Sequence, residues 1–210
     1  MYTKIQAENI IKKQMEKALH YLPSVKKDIE VSAEFIGDGT FYNIETAFVV
    51  KDNKLIANLN WISQTPEPEI KYTIWKETRH FYQKQQVEAF QQGMPVIEEL
   101  PTLEDWESEY KTYIPKTPIT EARHYSQKIQ LDAHTFAAAL MAIHCTKADG
   151  SIDVVLPPTT AEQIVEAASE LYKELIKVPV VKEKVDRNGT CTCGSGKKYK
   201  TCCMRTGFFE

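Results

Sequence analysis

The sequence predicts an α+β body that carries a small cysteine-rich tail. Three observations lead there: an amphipathic stretch runs into a block of period-two alternation, long helical patterns follow, and four of the five cysteines fall within thirteen residues, Cys191 to Cys203.

Residues 3 to 20 set Ile5, Ile10, Ile11, Met15, Ala18 and Leu19 among charges, the pattern of an amphipathic helix, and Pro23 ends it. From Ile29 the period becomes two. Val31, Ala33 and Phe35 alternate with polar neighbours, and Gly37-Asp38-Gly39 supplies a turn. A second run, 41 to 50, ends at Lys51-Asp52-Asn53, and a third covers 55 to 62. These runs predict a three-stranded antiparallel meander with short hairpin turns, stopped by Pro66 and Pro68.

Residues 70 to 92 lack proline and glycine and bring Ile74, Phe81, Val87 and Phe90 to near-helical spacing, with Gly93 and Pro95 closing the helix. A short helix is expected at 103 to 113. Thr117-Pro118 then opens another, Pro118 taking the first helical position where its missing N–H costs nothing, and this helix runs to His144. Ala148-Asp149-Gly150 is a turn and Pro157-Pro158 a break. Thr160 with Gln163 offers a capping box for a last helix over 161 to 177. The expected division is a body over 1–178, a β-branched and charged linker over 179–188, and a module over 189–207.

Of the 210 residues, 42% are hydrophobic and 26% charged, which excludes wholesale disorder. A net charge of −3 excludes coating of nucleic acid by bulk charge. The longest apolar run, Phe136 to Ile143, has eight residues, against roughly 20 for a membrane span. The N-terminal residues lack the apolar stretch and cleavage site of a signal peptide, so a cytoplasmic location is expected. Charge is uneven: residues 187 to 210 carry +4 and the preceding 186 carry −7.

The tail reads Cys191-Thr-Cys193-Gly-Ser-Gly-Lys-Lys-Tyr-Lys-Thr-Cys202-Cys203. Adjacent cysteines and a C-x-C pair suit a disulfide poorly, whereas four thiolates close a tetrahedral zinc site with no open position. Gly194 and Gly196 let the backbone wrap a small ion, and Lys197, Lys198 and Lys200 offset the charge of four thiolates. A tail with so little apolar surface takes its fold from the metal, about 10–16 kcal/mol in comparable sites.

This segment resembles the SEC-C motif, the zinc module that ends the SecA translocation ATPase and many unrelated bacterial proteins. The signature is matched from Cys191 through Cys203, with Thr192 where the family usually has proline. The resemblance implies one structural Zn2+ held by Cys191, Cys193, Cys202 and Cys203. It also implies a docking surface, Lys197, Lys198, Tyr199 and Lys200, for a protein partner or the ribosome. Nucleic-acid contact by these few basic side chains is expected to be weak and salt-sensitive, and a solvated face that balances the thiolates is an equal reading.

Residues 75 to 83, Trp-Lys-Glu-Thr-Arg-His-Phe-Tyr-Gln, place Glu77 and His80 as in the zincin H-E-x-x-H helix, with Lys76 at the first histidine. Together with Gln130-Leu-Asp132-Ala133-His134-x-Phe136-Ala137, the order of elements resembles a degenerate gluzincin-like metallopeptidase, Gln130 standing for the third-ligand glutamate. That resemblance implies a zincin-like fold without its zinc, a pseudoenzyme, with Lys76 in the metal position and paired to Glu77 or Asp132. The other reading makes Trp75, His80, Phe81 and Phe136 core residues of two packed helices.

The expected function is a cytosolic zinc-binding adaptor of bacterial or phage type, non-catalytic, acting through its C-terminal module. The alternative is a zinc metallopeptidase or related hydrolase with an atypical site on helices 70–92 and 118–144, using Glu77 and His80.

Overall fold

The computed structural model describes residues 2–23, 29–41, 46–51, 54–178, 188–191 and 196–202. The chain divides into two compact units: residues 1–17, 26–71 and 179–210 in the first, residues 18–25 and 72–178 in the second. The expected linker lies almost wholly outside the described residues.

Helix α1 (Lys4–Leu19) appears where the apolar spacing places it, with Ala7, Ile10, Ile11, Met15 and Ala18 buried. Three strands follow: β1 (Glu30–Glu34), β2 (Phe48–Lys51) and β3 (Lys54–Asn58). They make a mixed sheet in the order β1-β3-β2, not the expected antiparallel meander. The β2–β3 pair is antiparallel, Val50 opposite Leu55, but β1 lies parallel to β3, Val31 opposite Leu55 and Ala33 opposite Ala57.

Burial explains the order. Leu55, Ile56, Ala57 and Asn58 are all buried, so β3 takes the centre, while β1 buries only Ala33 and stays at an edge. The nineteen residues between β1 and β3, β2 among them, exceed the dozen or so that parallel pairing requires. Gly37 and Gly39 do turn, at φ 92° and 112°, and the Gly37 N–H bonds Phe41 C=O at 2.9 Å. Asp38 pins that turn by accepting from Phe35 N–H and Lys4 Nζ, both at 2.9 Å. Glu8 Oε1 accepts from Ala33 N–H at 3.2 Å and so ties α1 to β1.

The third expected strand is cut short at Asn58. Its Oδ1 accepts from the N–H groups of Asn60 at 3.1 Å and Trp61 at 3.3 Å, an N-cap that starts α2 (Leu59–Gln64). Helix α3 (Glu67–Gln91) closes at Gly93, φ 66°, where Met94 N–H reaches back to Ala89 C=O at 2.9 Å. Helix α4 (Leu100–Lys111) buries Leu103 and Trp106.

The helix expected over 118–144 is two helices, α5 (Glu121–Tyr125) and α6 (Lys128–His144). Pro118 therefore does not occupy a first helical position. Gln127 makes the break: its buried side chain accepts from Ile114 N–H at 2.9 Å and donates to the carbonyls of Ile114 and His124. Those bonds replace the helical ones lost where its backbone turns extended, at φ −63° and ψ 137°.

Helix α7 (Ala161–Leu175) packs along α6. The capping box expected at its start does not form. Thr160 closes a turn on Pro157 C=O with φ −132° and ψ 8°, and its hydroxyl makes no cap bond. The core of the second unit gathers Trp75, Tyr82, Trp106, Phe136, Leu140 and Met141.

Arg79, its side chain 13% exposed, is held against the aromatic residues of that core. Arg79 donates from Nε to Asp132 Oδ2 at 2.7 Å and from Nη2 to Asp132 Oδ1 at 2.9 Å and Glu98 Oε1 at 3.3 Å. Its guanidinium lies 4.5 Å from the Tyr82 ring centre, 5.5 Å from Trp106 and 5.6 Å from Phe136. Asp132→Ala strands this cation and is expected to cost about 3 kcal/mol in urea unfolding. The double variant Arg79→Met/Asp132→Leu should recover much of that loss.

Candidate functional site

Helix α3 places Tyr72, Lys76 and His80 one turn apart on one face, and α6 does the same with Gln130 and His134. Lys76 Nζ pairs with Glu77 Oε1 at 2.8 Å, the two side chains being 20% and 17% exposed. Asp132, the other partner expected for Lys76, goes to Arg79 instead.

His80 Nδ1 lies 2.8 Å from Gln83 Oε1. Gln83 spends its amide N–H groups on Ile129 C=O at 2.9 Å and Asp132 Oδ2 at 2.6 Å, so its oxygen must accept from His80. His134 Nδ1 lies 2.6 Å from the Tyr72 hydroxyl, and the Tyr125 ring meets His134 edge-on at 5.5 Å. His124 Nδ1 donates to Ile114 C=O at 2.9 Å. Tyr72, His124 and Tyr125 were not marked out by sequence reasoning. Only the i, i+4, i+8 spacing of 72, 76 and 80 hinted at the first of them.

The electrostatics follow from burial. Burial pushes the His134 imidazole down to about 2, and the nearby basic groups Lys76, His80, His124 and Lys116 act the same way. Burial lowers His124 too, against its bond to Ile114. His80 is lowered by burial, with Glu77 opposing. Burial works against the Glu77 charge, but Lys76 and His80 hold its carboxyl below the ordinary value.

The tail is built differently. Thr190 bridges Lys198 in antiparallel fashion, Cys191 N–H bonds Lys197 C=O at 2.7 Å, and Tyr199 N–H bonds Gly189 C=O at 2.9 Å. Gly196, just before Lys197, takes a positive φ of 70°, a conformation open to glycine. A 3-10 turn, Tyr199–Thr201, then leads to Cys202, whose N–H bonds Tyr199 C=O at 3.1 Å. Cys191 is buried and Cys202 is half-buried.

Cys193 and Cys203 lie outside the described residues. Among the described residues no three histidine, cysteine or carboxylate side chains form a metal set. Lys197, Lys198 and Lys200 are exposed, but Tyr199 is only 5% exposed, so its ring fills the knuckle instead of joining the lysines at the surface.

Residues 187–205 match the SEC-C motif. The chain is also 27% identical over 167 residues to a protein translocase subunit SecA of Clostridium botulinum (strain Loch Maree / Type A3), covering 72% of this chain and 20% of that protein. A SecA of Clostridium perfringens (strain SM101 / Type A) is 65% identical over 34 residues, 16% of this chain and 4% of that protein. The SecA of Acetivibrio thermocellus is 49% identical over 43 residues, 20% of this chain and 5% of that protein. The chain thus spans about a fifth of the length of the first of these relatives. No solved structure matches the chain.

Neither these relatives nor the mixed sheet supports the gluzincin-like resemblance, although Lys76 does pair with Glu77, one of the two partners expected for it. No helix among the described residues is long and apolar enough to cross a membrane.

The buried imidazoles predict acid sensitivity. An unfolded histidine titrates near 6.5, so below that pH the unfolded chain binds protons that folded His124 and His134 refuse. Stability is therefore present at neutral pH and falls as pH drops below 6.5, for His134 approaching about 1.4 kcal/mol per pH unit, with His124 acting in the same direction. Urea midpoints measured between about pH 6.5 and pH 5 should fall steeply in the wild type. His134→Gln, which keeps a partner for Tyr72, should show a shallower fall.

Proposed function

We propose that the chain is a cytosolic, non-catalytic adaptor whose SEC-C module holds one structural zinc ion and docks a protein partner. The observation that carries this reading is the sorting of side chains on the knuckle: Cys191 and Tyr199 face in, while Lys197, Lys198 and Lys200 face out. Cys191 and Cys202 sit on the knuckle and on the turn that follows it, and their thiols are donors suited to zinc. With Cys193 and Cys203 they make the four-thiolate set. Zinc bound there supplies cross-linking and folding energy, with no open position for a substrate.

The three exposed lysines then offer a rigid cationic face to an acidic protein surface. The ribosome is a second candidate for the same face, through its own anionic surface. The likeness to SecA, a protein translocase subunit, supports docking through the tail and leaves translocase activity with those larger proteins. The body over 1–178 serves as the carried domain and 179–188 as its tether.

Metal analysis of the full chain tests the reading. It should find one zinc per chain, and none in Cys202→Ser/Cys203→Ser. Chelation should expose the tail to proteolysis while the body keeps its helical signal. Lys197→Glu/Lys198→Glu should keep the zinc and lose the partner captured by the wild type. Two zinc ions, one of them surviving the cysteine changes, would overturn the adaptor in favour of a metal site on the body.

A further inference from the structure

Strand β1 is an edge strand, and each of its backbone groups can be assigned to one side or the other. Asn58 N–H bonds Ala47 C=O at 2.9 Å, on the β2 side, so Leu55 and Ala57, which alternate with it, turn toward β1. With Val31 opposite Leu55 in a parallel ladder, those two residues take the backbone groups of Glu30, Ser32 and Glu34. Val31 and Ala33 are left facing outward. The Ala33 N–H shows this by donating to Glu8 Oε1 on α1. Val31 has no such cap, and its outward N–H and C=O meet no partner among the described residues.

A groove of about 560 Å3 lies along this edge. Four successive residues, Ile29, Glu30, Val31 and Ser32, line it together with Glu8 and Lys12 of α1. Successive side chains of a strand point to opposite faces, so a cavity that meets four in a row follows the edge. Ser32 also keeps a buried hydroxyl without a hydrogen-bond partner.

The unspent charge on the groove is positive. Lys4 pairs with Asp38 beyond the end of β1 and Glu8 reaches Ala33, so α1 runs antiparallel to the strand. Four helical residues advance about 6 Å and two strand residues about 6.6 Å, which sets Lys12 beside Val31. Lys12 is exposed and makes no ion pair among the described residues. Glu8 is spent on Ala33, and Glu30 pairs with Lys54 at 3.9 Å.

A second copy of the strand suits this edge poorly. Antiparallel pairing of all five residues about Ser32 would set Glu30 of one copy opposite Glu34 of the other, like charge against like.

We propose that the outer edge of β1 accepts an extended acidic peptide as an added strand, bonded through Val31 and paired by a carboxylate to Lys12. Main-chain bonds supply the affinity and the lysine the selection. Glu8, already on the Ala33 N–H, ends the pairing on that side. The inference concerns the sheet of the first unit and does not depend on zinc or on the function of the tail.

The test follows the backbone amide resonance of Val31 in the full chain as a blocked pentapeptide of alternating valine and glutamate is added. A saturable downfield shift of the Val31 proton is expected as its N–H gains a bond. The valine–lysine counterpart should bind at least roughly tenfold more weakly. Of the two alternately N-methylated forms of the acidic peptide, one should bind and the other fail, because only one edge of an added strand pairs. Lys12→Gln, at an exposed position, should weaken the acidic peptide at least roughly tenfold.

An unsaturable shift, or equal affinity for the lysine peptide, overturns the acidic partner. Equal binding of the two methylated forms reduces the contact to side chains and overturns strand addition. Unchanged affinity in Lys12→Gln overturns the role of that ammonium in selection. A Val31 shift that grows with protein concentration alone would give the edge to a second copy and overturn the peptide.

Discussion

The second unit depends on one largely enclosed cation. Arg79 sits among Tyr82, Trp106 and Phe136, where an unpaired charge is untenable, so Asp132 and Glu98 must come to it. Burial works against the guanidinium, yet Asp132 and Glu98 hold it more firmly charged than usual. Asp132 also takes the Gln83 amide, and Gln83 in turn reaches Ile129 C=O and His80. Through this chain of bonds one carboxylate sets the register of α3 against α6. The faces carrying Lys76, His80, Gln130 and His134 follow from that register.

The same clamp decides what a motif can do. Glu77 and His80 have the spacing of a metal helix, but spacing shows only that two side chains share a face. The partners are set across the interface: Asp132 belongs to Arg79, Lys76 to Glu77, and His80 to Gln83. The helix pattern was legible in the residues, and these pairings were not. They require knowing which turn of α6 lies opposite which turn of α3.

The tail contrasts with this. Its described geometry is local: a positive φ at Gly196, two ladder bonds and one 3-10 turn, all within fourteen residues from Gly189 to Cys202. A signature of that kind can be read from spacing, because each residue type answers to its nearest neighbours. Tyr199 is the exception. It stands between lysines in the sequence, and only the knuckle shows that its ring turns inward while theirs turn out.

Local signals by themselves determined α1, the closure of α3 at Gly93, the β2–β3 hairpin pair and the cysteine spacing. Each rests on backbone preference, a cap or a short turn acting within a few residues. Asn58 as a helix cap was also readable, hidden inside what looked like a strand. Tertiary structure alone decided that β1 runs parallel to a central β3, because relative burial ranks the strands and no hairpin rule does. It alone broke the long helix at Gln127, whose side chain found backbone partners at Ile114 that lie far away in the sequence. It alone drew His124, His134 and Lys76 into one cluster, since groups that repel when charged are brought together only by the packing of the helices that carry them.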